Sequence, residues 1–246
     1  MVICPQGHTQ EKRQIRHQQQ VWLSLNSTSR LAEKWGVIAD IHIRRNHYLK
    51  DPGFYFIRSG LAYFHNDKLS LAAGYGHMWL AGAVASDFLF TNENRIFQQA
   101  QINSQWGKVQ IVNRIRNEQR WSQQLVGGQK TDLWQFTDRI RYLLSFSIPV
   151  SEEKKIPVLV MANELMVHFG KNLVHKNFDQ NRVFAGIRMP LAKDLSFDAG
   201  YMLVYQQKRL GYQYDLNHTL RCFFYYNPRL MVRNMHGRHQ HTETAD

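Results

Sequence analysis

Between Leu133 and Ile148 the chain alternates apolar and polar residues one at a time. Trp134, Phe136, Ile140, Tyr142, Leu144, Phe146 and Ile148 share one parity. Gln135, Thr137, Arg139, Arg141, Ser145 and Ser147 share the other, and Asp138 is the one polar residue on the apolar side. A period of two predicts a β-strand, whose side chains point alternately to opposite faces. A strand of a soluble sandwich usually runs only about 5–6 residues. One this long, apolar on one face and carrying two arginines on the other, fits a wall between lipid and water.

The pattern recurs. Leu69, Leu71, Ala73, Tyr75, His77 and Trp79 alternate with small or polar residues; Leu195, Phe197, Ala199, Tyr201, Leu203 and Tyr205 alternate with Ser196, Asp198, Gly200 and Gln206; and Leu216, Leu220, Cys222, Phe224 and Tyr226 alternate with Asn217, Thr219, Arg221 and Tyr225. Eleven such segments are predicted, at 20–30, 35–46, 53–65, 68–80, 95–106, 108–122, 133–149, 155–169, 178–191, 193–206 and 214–227. Most exceed the roughly 9–11 residues that a tilted strand needs to cross a bilayer. The expected fold is all-β: a closed antiparallel up-and-down transmembrane barrel of 10–12 strands over residues 20–227. Residues 1–19 are read as a polar extension and 228–246 as a basic tail containing His236, His239 and His241, expected to be disordered rather than metal-binding.

The predicted connections alternate between short and long. Short turns fall at Ala32–Lys34, His65–Lys68, Trp106–Lys108, Ser151–Lys154 and Ala192–Asp194, each with a lysine, and long loops near 47–52, 81–94, 123–132, 170–177 and 207–213. Short turns on one side and long loops on the other match periplasmic turns and extracellular loops. An odd count of eleven leaves one ascending strand missing from an even, fully antiparallel barrel. The two candidates for it are the polar stretch 8–19 and the run AVASDFLF at 83–90.

The parity assigns faces. Leu69, Leu71, Tyr75, Trp134, Phe136, Tyr142, Leu144, Phe197, Tyr201 and Leu203 are expected to face lipid. The segment 108–122 fits least well, because Asn113, Asn117 and Gln119 share the outward side with Ile111 and Ile115, so a bulge or contact with another subunit is expected there. The inward face collects charge. Glu93, Arg95, Arg114, Arg116, Glu118, Arg120, Arg139, Arg141, Glu164, Arg182 and Arg188 form the expected lumen cluster, with Arg58, Arg221, Asp40 and Asp198 also inward. Two readings of it stand: a salt-bridge network filling a narrow lumen, or an arginine-lined pore favouring small anionic or polar solutes.

Composition changes the picture little. Mean hydropathy is −0.47, which by itself fits a soluble protein. No run of 18 apolar residues exists, which excludes a membrane-spanning helix but not a barrel. The net charge of +12 fits anionic lipid headgroups or anionic solutes, and no nucleic-acid partner is expected. Cys4 and Cys222 lie outside any CxxC motif and are read as inert thiols. Residues 1–19 do not read as a secretory signal, so an exported chain is expected to have lost its signal or to be truncated at the start. His77 and His218 have outward parity with no serine two residues away, and neither HExxH nor GxSxG occurs. No enzymatic activity, cofactor or metal is expected.

The runs QQVWLSLNSTSRLAEKWGVIADIHIRR, NENRIFQQ, RIRNEQRW, ANELMVHFG, FDQNRVFAGI and YDLNHTLRCFFYYNP, spread over about residues 18–227, resemble the uncharacterised bacterial family labelled domain of unknown function 2490. The resemblance implies an outer-membrane β-barrel, typically from Gram-negative bacteria such as the Bacteroidetes. It implies no known activity or ligand; a barrel of this kind is expected to meet the bilayer, with lipopolysaccharide or phospholipid on the outer wall. Read from the residues, the expected function is a small porin-like pore with weak anion preference; the alternative is a closed structural or interaction barrel whose long loops bind a partner, with a lipid-modifying enzyme or a soluble ligand-binding sandwich behind both.

Overall fold

A computed structural model describes residues 13–84, 87–151, 157–170, 177–208 and 211–228. Eleven strands form one closed barrel: β1 (Gln14–Arg30), β2 (Trp35–Asn46), β3 (Asp51–Phe64), β4 (Leu69–Val84), β5 (Asp87–Trp106), β6 (Val109–Val126), β7 (Gln129–Pro149), β8 (Val158–Phe169), β9 (Phe178–Ala192), β10 (Leu195–Gln207) and β11 (Gln213–Tyr226). Consecutive strands pair antiparallel throughout. The basic tail after Pro228, with its histidines, lies outside the described residues, as does Cys4.

Closure departs from the expected all-antiparallel sheet. β1 and β11 both run toward the short-turn end, so they pair parallel, from Gln14 opposite Gln213 to Ser27 opposite Tyr226. An odd number of up-and-down strands can close in no other way. No twelfth strand is needed, and neither candidate for one supplies it. Residues 14–19, expected in the extension, are instead the first third of β1; they are polar yet gain a full ladder from β11. Val84 and Asp87–Phe90 belong to the tips of β4 and β5, which pair with each other up to Val84 opposite Asp87. Two expected long loops are therefore strand extensions. The second, 123–132, is a continuation of β6 and β7 turned by Gly127 and Gly128, whose φ of 60° and 77° is the left-handed geometry of a tight hairpin.

Stagger sets the shape. A line across the ladders runs Leu25, Ile41, Ile57, His77, Asn94, Trp121. It begins five residues from the short-turn end of β1 and ends twelve residues from that end of β6. Such shear requires strands steeply tilted to the barrel axis.

The outer wall is apolar. Leu71, Tyr75, Trp134, Phe136, Tyr142 and Tyr201 are exposed on it, and Leu69, Leu144, Phe197 and Leu203 lie on the same face, half-covered by neighbours. Trp35, Trp106 and Tyr226 ring the short-turn mouth, while Tyr48 and Trp134 lie toward the other, in the manner of interfacial girdles. The interior is inverted relative to a soluble protein: among the described residues, buried polar or charged positions number eighteen against thirteen buried apolar ones. That excludes a dry sandwich core. The outward amides of β6 need no bulge, because β5 and β6 stay in register from Glu93 to Trp106. They are partnered on the wall itself: Gln98 bonds Gln119 at 3.1 Å and Asn117 at 3.4 Å, and the Tyr142 hydroxyl donates to Asn113 at 2.7 Å.

Two outcomes test this fold. Leu23 and Cys222 are directly opposite across the parallel seam, where strand spacing of about 4.7–4.9 Å lies within the range of about 4.4–6.8 Å for a disulfide. In a Cys4→Ser background, Leu23→Cys should oxidise to an intramolecular crosslink, seen as altered migration on non-reducing gels, whereas the inward Ser24→Cys should not. Failure of Leu23→Cys to crosslink would overturn the parallel seam. Leu144→Arg, by placing charge on the lipid side, should cost about 2–4 kcal/mol of folding free energy in lipid vesicles; no loss would mean that face does not meet lipid.

Candidate functional site: an arginine-lined lumen

The inward parity of β5 to β9 builds one charge lattice. On β5, Glu93 accepts from Arg95 Nη2 at 2.5 Å and Arg120 Nη2 at 2.8 Å, and also from the Ser122 hydroxyl. On β6, Glu118 is 2% exposed and holds Arg141 Nη1 at 2.7 Å and Arg139 Nε at 2.9 Å, with Arg116 and Arg95 at 3.7 and 3.9 Å. On β8, Glu164 takes Arg141 at 2.7 Å, Arg114 at 3.0 Å and Arg182 at 3.3 Å. Arg139 reaches on to Asp179 of β9 at 3.0 Å. Glu93, Glu118 and Glu164 thus each accept from two or more guanidinium groups, the arrangement that repays the cost of taking charge out of water.

Ten of the eleven residues expected in the lumen cluster join this lattice. Arg188 does not; it forms a separate bidentate pair with Asp198, at 2.6 and 2.8 Å, nearer the short-turn mouth. Asp40 pairs with Arg58 on the opposite side of the barrel. Parity alone does not reveal partners two strands apart, such as Arg139 and Asp179.

On the strands of the other half of the lumen, and for Arg116 and Arg182 at the edge of the lattice, aromatic rings hold the arginines. Arg44 and Arg182 both lie over the Trp22 ring, 4.5 and 4.8 Å from its centroid. Arg221 lies over Phe184 and Phe223 at 4.1 and 4.2 Å, and Arg58 and Arg116 lie over Phe97 at 5.0 and 5.6 Å. Glycines make room for these rings. A Cβ at Gly74 would come within 2.2 Å of the Ser59 carbonyl oxygen and 2.9 Å of Phe97. One at Gly200 would come within 2.4 Å of Gly186 Cα and 2.9 Å of Phe184. The layering is glycine, aromatic ring, guanidinium, with cation–π attraction in place of a carboxylate. Sequence reasoning missed Arg44, Asp179 and Trp22. Arg44 was within reach of it, lying two alternations beyond Asp40 on the same face.

A knot of amides ties this half together. Gln20 Nε2 donates to Asn46 and Asn217, both at 3.1 Å, while its Oε1 accepts from Trp22 Nε1 at 3.2 Å and Arg44 Nε at 2.8 Å. The remaining space is a cavity of about 490 Å³ lined by both halves. Among the described residues no group of His, Cys, Asp or Glu is arranged to hold a metal ion. The outward histidines bond locally: His218 with the Tyr201 hydroxyl at 2.6 Å, His77 with Asn94 at 2.9 Å.

Glu118→Ala would leave four guanidinium groups facing a vacancy. It should destabilise the barrel by about 3–5 kcal/mol in urea unfolding from lipid vesicles, as loss of one partner from a dry pair does. A loss of only about 0–1 kcal/mol would mark the lattice as wet.

A family model described as "Protein of unknown function (DUF2490)" matches residues 19–226, nearly the whole barrel. No curated protein matches the sequence. Among solved structures, the β-domain of the Bordetella autotransporter BrkA is similar, with 12% sequence identity and a TM-score of 0.45 over 72% of this chain and 79% of that one.

Proposed function

The chain belongs to the DUF2490 family, and from its lumen we propose that it is an outer-membrane β-barrel without catalytic activity, closed at mid-height by the arginine–carboxylate lattice. Its wall meets the bilayer, with lipopolysaccharide or phospholipid against the apolar belt, and its long-loop end is the surface offered to a partner. The observation that carries this reading is Glu118: nearly inaccessible, yet within 4 Å of four arginines from β5, β6 and β7. Glu118, Arg116 and Arg139 are almost wholly enclosed, so an ion passing at their level would have to displace charged groups already paired with one another.

A specific observation favours a second reading, a small pore with weak anion preference. Eleven arginines line the lumen cavity, more than its carboxylates can neutralise.

Planar-bilayer recording separates the two. Under the closed reading, folded wild-type protein gives no stable conductance steps. Glu118→Ala then gives discrete steps with anion over cation permeability, because the lost carboxylate both loosens the lattice and unmasks positive charge. Stable anion-selective steps from the wild type would establish the pore instead.

A further inference from the structure

The charges of the lumen do not balance. Among the described residues eleven arginines stand there against six carboxylates, Asp40, Glu93, Glu118, Glu164, Asp179 and Asp198, a surplus of five positive charges. Asp215, toward the long-loop end, does not reduce it, because Lys208 neutralises that carboxylate at 2.5 Å. Enclosed by the sheet, such a surplus is only partly screened by water, and it favours counter-anions inside.

The surplus is not spread evenly. The carboxylates concentrate on β5 to β9, and the under-neutralised arginines face the other half. Among the described residues Arg44 has no carboxylate within 4 Å, and its only hydrogen-bond acceptor is the neutral Gln20. Arg116 donates to neutral Gln99 at 3.0 Å, its nearest carboxylate being Glu118 at 3.7 Å. Arg221 donates to the Tyr225 hydroxyl at 2.6 Å, with Asp198 at 3.8 Å. Arg182 shares Glu164 with two other arginines. An aromatic ring beneath a guanidinium holds it in place without removing its charge.

A second observation points the same way. Arg58, nine-tenths buried, lines the cavity with its Nε lacking any hydrogen-bond partner, and the Nε of Arg221 is in the same state. A native interior rarely leaves such donors idle. His42 also lines the cavity, packed between Phe56 and Phe223.

We propose that this half of the cavity, framed by Arg44, Arg116, Arg182 and Arg221, is a binding site for an oxyanion of the phosphate class. Guanidinium groups suit it by geometry: their planar N–H pairs match two oxygens of one phosphate, and several converging forks satisfy a tetrahedral dianion where a single chloride would not. The proposal deepens the closed-lumen reading, since a retained anion would lock the half of the lumen that carboxylates leave open. It is tested by binding rather than conduction, so the two can fail separately.

The experiment is isothermal titration of the full chain, folded in dodecyl maltoside, with inorganic phosphate against sodium chloride of equal ionic strength. A parallel arm uses mixed micelles containing phosphatidic acid. Saturable one-to-one uptake of inorganic phosphate is expected, and Arg44→Gln and Arg182→Gln should each weaken it about tenfold or more. Uptake of phosphatidic acid without uptake of free phosphate would support the same site with a lipid headgroup as its source. The proposal is overturned if neither arm gives a signal beyond the chloride control, or if both folded variants bind as the wild type does. Heat-modifiable gel migration checks the folding of the variants; should they not fold, the two wild-type arms decide the matter.

Discussion

Everything inside this barrel answers to one constraint: a guanidinium or carboxylate enclosed by a β-wall that is apolar on its outer side must find its counter-charge within the lumen. A soluble β-protein closes its interior with apolar side chains, and its charges look outward. Here the parity is reversed, so closing the interior means assembling ions. On β5 to β9 that assembly is written into the side chains, with Glu93, Glu118 and Glu164 each accepting from an arginine on a neighbouring strand and Asp179 from Arg139 two strands away. On the remaining strands carboxylates are sparse, and flat aromatic rings take over the positioning. The glycine pairs Gly60–Gly74 and Gly186–Gly200 follow from this. Without side chains of their own they let Phe97 and Phe184 lie against the wall, and only a ring lying flat offers its face to an arginine.

The odd strand count is the second constraint, and it concentrates risk at one seam. Ten of the eleven strand pairings are between sequence neighbours, while β1 and β11 must meet across nearly the whole chain. Parallel pairing is slightly weaker per residue than antiparallel, and loop closure over that separation costs entropy that no local turn offsets. Length compensates. The seam extends over fourteen residue pairs, including the polar stretch Gln14–Gln19, which would have little reason to be ordered except as a strand partner.

Strand positions, facing and most of the lumen cluster were legible in the sequence because they depend on a local quantity, the alternation of side chains. Arg139 and Arg141 announce their side through their immediate neighbours. What was not legible depends on pairs. The parallel seam joins residues about two hundred positions apart. Gly127 and Gly128, in a polar stretch, read equally well as a loop or as a hairpin tip until the ladder from Leu125 to Lys130 is seen. The amides of β6 look like errors of facing when taken singly; Gln98 across the strand makes them a bonded set. Arg188 has the parity of the lattice, but its register places it beside Asp198 instead.

The seam and the ion assembly meet at Gln20. Its amide has two N–H donors and a carbonyl oxygen with two lone pairs, and all four are engaged, by Asn46 on β2, Asn217 on β11, Trp22 and Arg44. The same side chain therefore fixes β1 to its parallel partner and holds Arg44, which among the described residues has no carboxylate within 4 Å. A slip of the seam by one residue would turn Gln20 toward lipid and bring hydrophobic Val21 inward. It would also strip Arg44 of its only acceptor. Register is thus enforced from inside as well as by the greasy exterior: the correct closure is the one in which the arginine-bearing half of the lumen can be satisfied at all.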